Sequence, residues 1–272
     1  METAVEQHMA ECKRIGFVHI PKTGGTSVMR IMQSDQRLSS LLLPRLASDP
    51  YFKYHSPAIV QSSFFGDAWG HAFTFATVRN PYLLVVSEWL FYSDYCKSAL
   101  LQPLPGLSQQ HLRRCEIILD QFAAVANESI AAARGKLLGY VTYRYSEPSS
   151  EEALFLGQKS LVGQLSWLTD VTGKTILVDQ VVKLEDLDTL TPSSLVQHAC
   201  GAKTGHADSA APGEIHVREN PTSMPHLEYW CYHTEKSCDR VAGRFQEDFA
   251  YFNYSQEECY AHLDSPCSVV IS

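Results

Sequence analysis

One segment near the start of the chain limits the possible folds more than any other. Residues 15–30 read IGFVHIPKTGGTSVMR, an apolar run followed by a lysine, two glycines and three hydroxyl side chains. Residues 16–20 predict a buried strand, and the residues from Thr26 onward predict a helix. Glycines at 24 and 25 let the backbone approach an anion, and the first N–H groups of the helix would point at it. The segment therefore predicts a strand, a loop that binds phosphate or sulfate, and a helix.

The position of the lysine distinguishes this loop from the familiar nucleotide-binding motif. In GxxxxGK[ST] the lysine follows the glycines, whereas Lys22 precedes Gly24 and Gly25. The order PKTGGTS, hereafter the 21–27 loop, puts the amine at its mouth. This order argues against ATP as the ligand, although an ATP-dependent kinase of the P-loop type ranks second among the enzyme classes. A plain Gly-Gly turn between a strand and a helix is the other interpretation.

Length and composition bound the remaining possibilities. With 272 residues and 45% hydrophobic content, the chain can bury a large core. We expect one catalytic domain over 1–272, with an extension at 1–14 and a tail at 256–272. The formal charge of −8 provides no global field for nucleic acid, and no run approaches the about 18 apolar residues of a membrane span. The polar start of the chain lacks the pattern of a signal peptide, so a cytoplasmic protein is the expectation.

The cysteines show no recognisable spacing. They form no CxxC pair and no Cys/His pattern of a metal site. Reduced and mostly structural thiols are the default for such a scattered set, and no metal is expected. The eight cysteines are Cys12, Cys96, Cys115, Cys200, Cys231, Cys238, Cys259 and Cys267.

Predicted strands and helices alternate along the chain. Residues 71–78 predict a second buried strand, and Pro81 begins an amphipathic helix after it. A further helix is predicted over 115–134, closed by Gly135, and a third strand over 175–183. This alternation predicts an α/β fold that is P-loop-like, with a mainly parallel central sheet flanked by helices on both faces. Ligands of such sheets bind at the carboxyl ends of the strands.

A second motif follows the second strand. Residues 79–89, RNPYLLVVSEW, place Arg79 at the strand end and Ser87 on the helix. Arginine offers a fixed fork of donors to a phosphate, and the serine would reach the same oxygens if the loop folds back. A locally paired arginine and a solvent-facing serine are the alternative.

Together the two motifs resemble those of the carbohydrate-type sulfotransferases, which use 3′-phosphoadenosine 5′-phosphosulfate (PAPS) and release 3′-phosphoadenosine 5′-phosphate (PAP). The resemblance covers most of residues 15–255, including GQLSWLTDVTGKTILVDQVVKLEDL and a closing segment with an Asn-containing loop and a helix ending in DF. It implies PAPS-dependent O-sulfation without a metal. One position departs from the family pattern, because Leu84 stands where members commonly carry a second arginine.

The resemblance implies a role for each motif residue. Lys22 would stabilise charge on the leaving-group oxygen, and His55 would be the general base, since histidine titrates near neutral pH. Arg79 and Ser87 would bind the 3′-phosphate, while the 21–27 loop would cradle the 5′-phosphosulfate. The other implied cofactor-binding residues are Thr23, Gly24, Gly25, Thr26, Ser27, Trp167 and Arg218.

Several of these residues have plainer interpretations. His55 would instead cap a helix begun by PAIVQ, and Trp167 more often lies in a core than on an adenine. His19 and His71 fall within apolar strands, where a hydrogen-bonded core histidine is the common outcome. The expected acceptor is a small hydroxylated molecule, with a saccharide as the other candidate. A catalytically inactive nucleotide- or partner-binding protein on the same fold is the alternative to an enzyme.

Overall fold

The chain folds into short strands and many helices. The computed structural model describes residues 11–43, 55–101, 109–124, 129–145, 163–201, 226–267 and 269–270. The strands in these ranges are β1 (Ile15–Val18), β2 (Phe73–Val78), β3 (Gln180–Lys183), β4 (His226–Leu227) and β5 (Val269–Val270). The α-helices are α1 (Gly25–Ser34), α2 (Gln36–Leu41), α3 (Ala58–Phe65), α4 (Asp67–Gly70), α5 (Pro81–Leu101), α6 (Gln109–Ile117), α7 (Ile130–Arg144), α8 (Pro192–Cys200), α9 (Glu235–Arg244), α10 (Gln246–Tyr251) and α11 (Glu258–Ala261). Shorter 3₁₀ turns cover Gln164–Trp167, Leu184–Thr189 and Tyr229–Tyr232.

Two compact units make up the chain. Unit 1 comprises the described parts of Met1–Arg79 and Gln164–Glu219, and unit 2 comprises those of Asn80–Gly163 and Asn220–Ser272. Unit 1 contains β1, β2 and β3, whereas unit 2 is mainly helical. Among the described residues, none of the helices has the length and apolarity to span a lipid bilayer. The expectation of one catalytic domain stays a prediction.

A three-stranded parallel sheet organises unit 1. β2 is central, because Ala76 pairs with Val18 of β1 on one side and with Val181 of β3 on the other. All of β2 is buried, as expected of a parallel strand covered on both faces. Since the strands are parallel, the 21–27 loop, Arg79 and the residues after β3 all follow carboxyl ends at one edge of the sheet. The predicted α/β fold with a parallel sheet is confirmed.

Different helices cover the two faces of β1. Successive side chains of a strand point to opposite faces. Ile15 belongs to a buried hydrophobic cluster that includes residues of α1, α2 and α8, whereas Gly16 faces the Trp69 ring of α4. A Cβ on Gly16 would lie 2.8 Å from that ring. The glycine therefore lets α4 pack closely against the strand.

Buried hydrogen bonds and one ion pair connect the helices of unit 2. The fully buried Trp89 of α5 donates from Nε1 to the carbonyl of Phe122 at 2.7 Å. One turn of the same helix also carries Glu88, which is 3% exposed and accepts from the hydroxyl of Tyr145 at 2.7 Å and from Nε of Arg144 at 3.4 Å. A buried carboxylate requires such partners, so Glu88 ties α5 to the end of α7.

The single helix predicted over 115–134 is wrong. α6 gives way to a π-helical turn at Ile118–Phe122, and α7 begins at Ile130 after the N-cap Ser129, whose side chain accepts a backbone N–H. Gly135, predicted to end the helix, lies inside α7. Apolar spacing runs through the break, so periodicity could not locate it. The serine was the local signal for a new helix start.

All eight cysteines are paired, so the expectation of reduced thiols is wrong. Cys12–Cys200 lies in unit 1, and its partners are 188 residues apart. The unit 2 disulfides are Cys96–Cys115, Cys231–Cys267 and Cys238–Cys259. Spacing could not reveal these pairs, because each depends on how the chain folds back. Disulfides persist in oxidising compartments and are rare in the cytosol, so the pairing argues against the cytoplasmic expectation.

Breaking one of these disulfides should measurably destabilise the protein. Replacing Cys238 and Cys259 together by serine releases a closure of 21 residues, and we expect a loss of about 3 kcal/mol in the free energy of unfolding. Urea denaturation under non-reducing conditions measures this loss. As a control, the wild-type chain unfolded without reductant should show no thiol that reacts with a colorimetric reagent. Eight reactive thiols in that control would contradict the pairing.

Candidate functional site

The 21–27 loop takes two left-handed backbone conformations before α1 begins. Lys22 has φ 66° and Gly24 has φ 81°. For a residue with a Cβ this region is uncommon and costs energy, so the turn at Lys22 must be held by its surroundings. Gly24 is the N-cap of α1, and it provides no side-chain hydrogen bond to the helix. The first N–H groups of a helix lack carbonyl partners within it, so a glycine cap leaves the backbone itself to meet a ligand.

Both glycines of the loop are required by close packing. A Cβ on Gly24 would lie 2.4 Å from the Leu184 side chain, which follows β3. A Cβ on Gly25 would lie 1.9 Å from Cδ2 of His19. Real Cβ atoms do not approach other atoms so closely, so any other residue at these positions would displace Leu184 or His19. The predicted need for small residues here is thus explained by packing within unit 1.

The hydroxyl of Thr23 serves the loop itself. Thr23 is fully buried, and its Oγ1 donates to the carbonyl of Ile20 at 2.9 Å. Oγ1 of Thr77 in β2 lies 3.1 Å away. Since the Thr23 proton goes to Ile20, Thr77 is the donor of that second bond. In this structure the hydroxyl ties the 21–27 loop to β2, and its binding of the phosphosulfate stays a prediction.

Arg79 lies directly after β2 and contacts the loop. Its Nη1 donates to the carbonyl of Lys22 at 3.3 Å. Its own backbone is bracketed by the side-chain amide of Gln164, which accepts from the Arg79 N–H at 2.7 Å and donates to the Arg79 carbonyl at 2.8 Å. Gln164 is 1% exposed. The arginine is thus held at the strand end with one guanidinium donor on the lysine carbonyl.

His55 packs against the strand that leads into the loop. Its ring centroid lies 4.3 Å from that of His19, and its Nδ1 lies 3.0 Å from the His19 carbonyl oxygen. A carbonyl only accepts hydrogen bonds, so in the neutral imidazole Nδ1 of His55 carries the proton and Nε2 carries the lone pair. That tautomer is the one a general base on Nε2 requires.

His19 therefore links His55 to Gly25 at the start of α1. His19 stands three residues before the lysine and contacts both Gly25 and His55. The sequence interpretation of His19 as a core histidine missed this position, since the residue is only partly buried. Its place directly before the loop was the available signal. His71, also expected in a core, is exposed and donates from Nδ1 to the Asp67 carbonyl at 2.7 Å.

The other implied cofactor residues are distributed over the chain. Thr26 and Ser27 occupy the first turn of α1, where Ser27 is buried. Trp167 is 1% exposed within unit 1, which matches the core alternative. Ser87 is a buried residue of α5 in unit 2. Arg218 lies outside the described residues.

One group of side chains in unit 2 has ligand atoms within 4.8 Å of one another, namely those of His233, Cys238 and Cys259. The two cysteines form a disulfide, and metals bind thiolates rather than disulfide sulfur. Burial lowers the pKa of His233 to about 4, so the imidazole is neutral near pH 7. Its Nε2 lies 3.2 Å from the carbonyl of Tyr82, which identifies Nε2 as the donor. In the oxidised form described, this group is a packing element.

Adding one methyl group at Gly25 should displace His19. In Gly25→Ala the new Cβ overlaps the imidazole ring, and we expect the free energy of unfolding to fall by about 1–3 kcal/mol, as for other overpacked sites. Urea denaturation measures the change. Gly70→Ala is the matched control, because a Cβ at that position would meet open space and helical alanine is favoured over glycine. Equal stability of the two variants would show that the ring moves aside at no cost.

Comparison of the chain with protein-family models, with curated proteins and with solved structures gave no match.

Proposed function

We propose that this chain is a PAPS-dependent O-sulfotransferase that transfers the sulfuryl group to a hydroxyl of a small molecule or saccharide. The observation that carries the proposal is the geometry of unit 1. A lysine with φ 66° precedes a glycine-capped helix at the carboxyl edge of a parallel sheet, and His55 packs against His19, which lies just before the 21–27 loop. Parallel sheets bind their ligands at that edge. We assign the sheet to a P-loop-like arrangement on the same grounds.

The residues around the 21–27 loop fit the anionic end of PAPS. Backbone N–H groups at the start of α1, next to a helix dipole, favour a phosphate or sulfate. The N-cap Gly24 makes no side-chain hydrogen bond to these N–H groups. The Arg79 guanidinium contacts the loop at the Lys22 carbonyl, and Lys22 is the cationic residue of the loop itself. When bound, PAPS would supply a sulfuryl group on a phosphate leaving group.

The proposed mechanism assigns one role to His55 and another to Lys22. Nε2 of His55 takes the proton from the acceptor hydroxyl as the new S–O bond forms. The ammonium of Lys22 stabilises the negative charge that collects on the leaving oxygen as the old S–O bond breaks. The proton therefore ends on His55, and the electron pair of the broken bond ends on the 5′-phosphate of PAP. Hydrogen-bond donors and cationic side chains of the protein balance the negative charge that develops during the transfer.

The disulfides indicate the kind of compartment in which the proposed reaction would take place. Four disulfides in a chain of this size favour folding in an oxidising compartment, and we propose such a compartment in place of the cytoplasm. Saccharide hydroxyls of secreted glycans are acceptors available there. The formal charge of −8 favours neutral acceptors over heavily sulfated ones.

Ligand-dependent stability tests the proposal most directly. Purified protein with intact disulfides is heated with PAP, or with ATP and Mg²⁺, and the Tm is recorded. PAP at about 100 times its Kd should stabilise the fold by about 2.7 kcal/mol, and ATP with Mg²⁺ should have little effect. Radiolabelled PAPS, incubated with neutral saccharides and small alcohols, then identifies the acceptor class.

The two alternatives predict different outcomes. A P-loop kinase would be stabilised by ATP with Mg²⁺ and not by PAP, which would overturn the proposal. An inactive binding protein would be stabilised by PAP yet would label no acceptor and would not hydrolyse PAPS. Labelling of an acceptor in proportion to enzyme concentration supports the sulfotransferase.

A further inference from the structure

The side chain of Gln164 brackets the backbone of Arg79 on both sides. Its Oε1 accepts from the Arg79 N–H at 2.7 Å, and its Nε2 donates to the Arg79 carbonyl at 2.8 Å. These are the two bonds that a neighbouring strand would provide. The two residues are 85 positions apart, and the glutamine is 1% exposed. The amide therefore continues the hydrogen bonding of β2 by one residue and fixes where the arginine side chain starts.

Arg79, held in this way, contacts the 21–27 loop. Its Nη1 donates to the Lys22 carbonyl at 3.3 Å. That carbonyl belongs to the residue with φ 66°, a conformation that a lysine does not hold without support from its surroundings. Thr23, the next residue, is tied to Ile20 and Thr77. The loop is thus held on both sides of the peptide that follows Lys22.

We infer that Gln164 and Arg79 are positioning residues that set the left-handed turn at Lys22, and with it the direction of the lysine side chain and the path into Gly24. The inference rests on the proposed sulfuryl transfer for its catalytic consequence. It also changes the role expected of the arginine, because one donor of its guanidinium fork binds the protein backbone. The five N–H donors of arginine allow the fork to bind backbone and anion together.

Substituting the glutamine tests the inference in two ways. Gln164→Met keeps the length of the side chain and removes both hydrogen bonds to Arg79. We expect backbone amides of residues 20–27 to exchange hydrogen about tenfold faster in the ligand-free variant, as a locally loosened segment does. We also expect kcat to fall by about 10- to 100-fold with a smaller change in KM, because the lysine is misplaced and the acceptor site is intact.

The experiment includes one control variant and a second test variant. Gln197→Met makes the same chemical change at an exposed site on α8 of unit 1 and should alter neither readout. Arg79→Lys retains the charge and the Gln164 bracket but loses the planar fork, and it should also speed exchange at residues 20–27. If Gln164→Met does not fold, hydrogen exchange in Arg79→Lys tests the inference instead.

The readouts distinguish failure of the inference from failure of the proposed function. Exchange at residues 20–27 equal to wild type in Gln164→Met or in Arg79→Lys overturns the inference, and so does faster exchange spread evenly over unit 1, because it shows a merely structural role. If the wild type neither binds PAP nor labels an acceptor, the proposed function fails. The exchange measurement still decides the positioning role in that case, since it requires no ligand.

Discussion

Replacing Lys22 by alanine should lower kcat by about 10²- to 10³-fold, the range seen when one donor to a developing oxyanion is lost, while PAP affinity changes far less. The lysine follows β1 at the carboxyl edge of the sheet, and its carbonyl is held by Arg79. In the proposed mechanism its ammonium acts on charge that develops only as the leaving bond breaks, so the loss should be concentrated in the transition state. Single-turnover transfer from labelled PAPS measures the rate, and PAP titration measures binding.

The control for Lys22→Ala is Lys13→Ala. Lys13 is an exposed lysine of unit 1 that precedes β1, so its loss removes the same net charge outside the 21–27 loop. We expect it to behave as wild type. Equal loss in kcat and in PAP affinity for Lys22→Ala would identify the lysine as a binding residue, and a kcat within a few-fold of wild type would remove it from the mechanism.

Removal of the imidazole at position 55 should have an effect of similar or greater size. His55→Ala is expected to reduce kcat by about 10²- to 10⁴-fold, the usual contribution of a positioned general base, with PAP binding intact. The acid limb of the kcat–pH profile should disappear in the variant, because that limb reports protonation of the base. Loss of PAP binding together with turnover would show that His55 is structural.

A second substitution separates the base from the packing contact. His55→Asn retains an N–H donor near the position of Nδ1, which bonds the His19 carbonyl at 3.0 Å in the wild type, but cannot accept the proton. It should fold like wild type and be as inactive as His55→Ala. His71→Ala is the control, since His71 is an exposed histidine of unit 1. Full activity in His55→Asn would rule out His55 as the base.

The elements around the 21–27 loop could be predicted because their signals are local. An apolar run predicted β1, and two glycines followed by helix-forming residues predicted the start of α1. β2 was predicted at 71–78 and found at Phe73–Val78, with its end marked by Arg79. Strand periodicity and glycine freedom depend on neighbouring residues alone, so these predictions needed no knowledge of the rest of the chain.

Longer-range features could not be predicted in the same way. Periodicity continued through the break before α7, and cysteine spacing did not show the four disulfides. The hydroxyl of Thr77 approaches that of Thr23 across 54 residues, which no local pattern indicates. The disulfide partners and the Thr77 contact depend on the fold, whereas the break before α7 carried a local signal in Ser129 that periodicity does not register.

By itself, the sequence determined that a lysine precedes a glycine-rich turn between a buried strand and a helix, which is the pattern that led to the proposal of an anionic ligand. The tertiary structure alone decided which distant residues hold that turn. Gln164 meets Arg79 across 85 residues, and His55 meets His19 across 36. Backbone conformation is a property of short segments, whereas hydrogen bonds between side chains and distant parts of the chain form only when the chain has packed. The strand, the glycine turn and the helix start are therefore indicated by the sequence, whereas the contacts of Arg79 and Gln164 that hold the 21–27 loop are seen only in the fold.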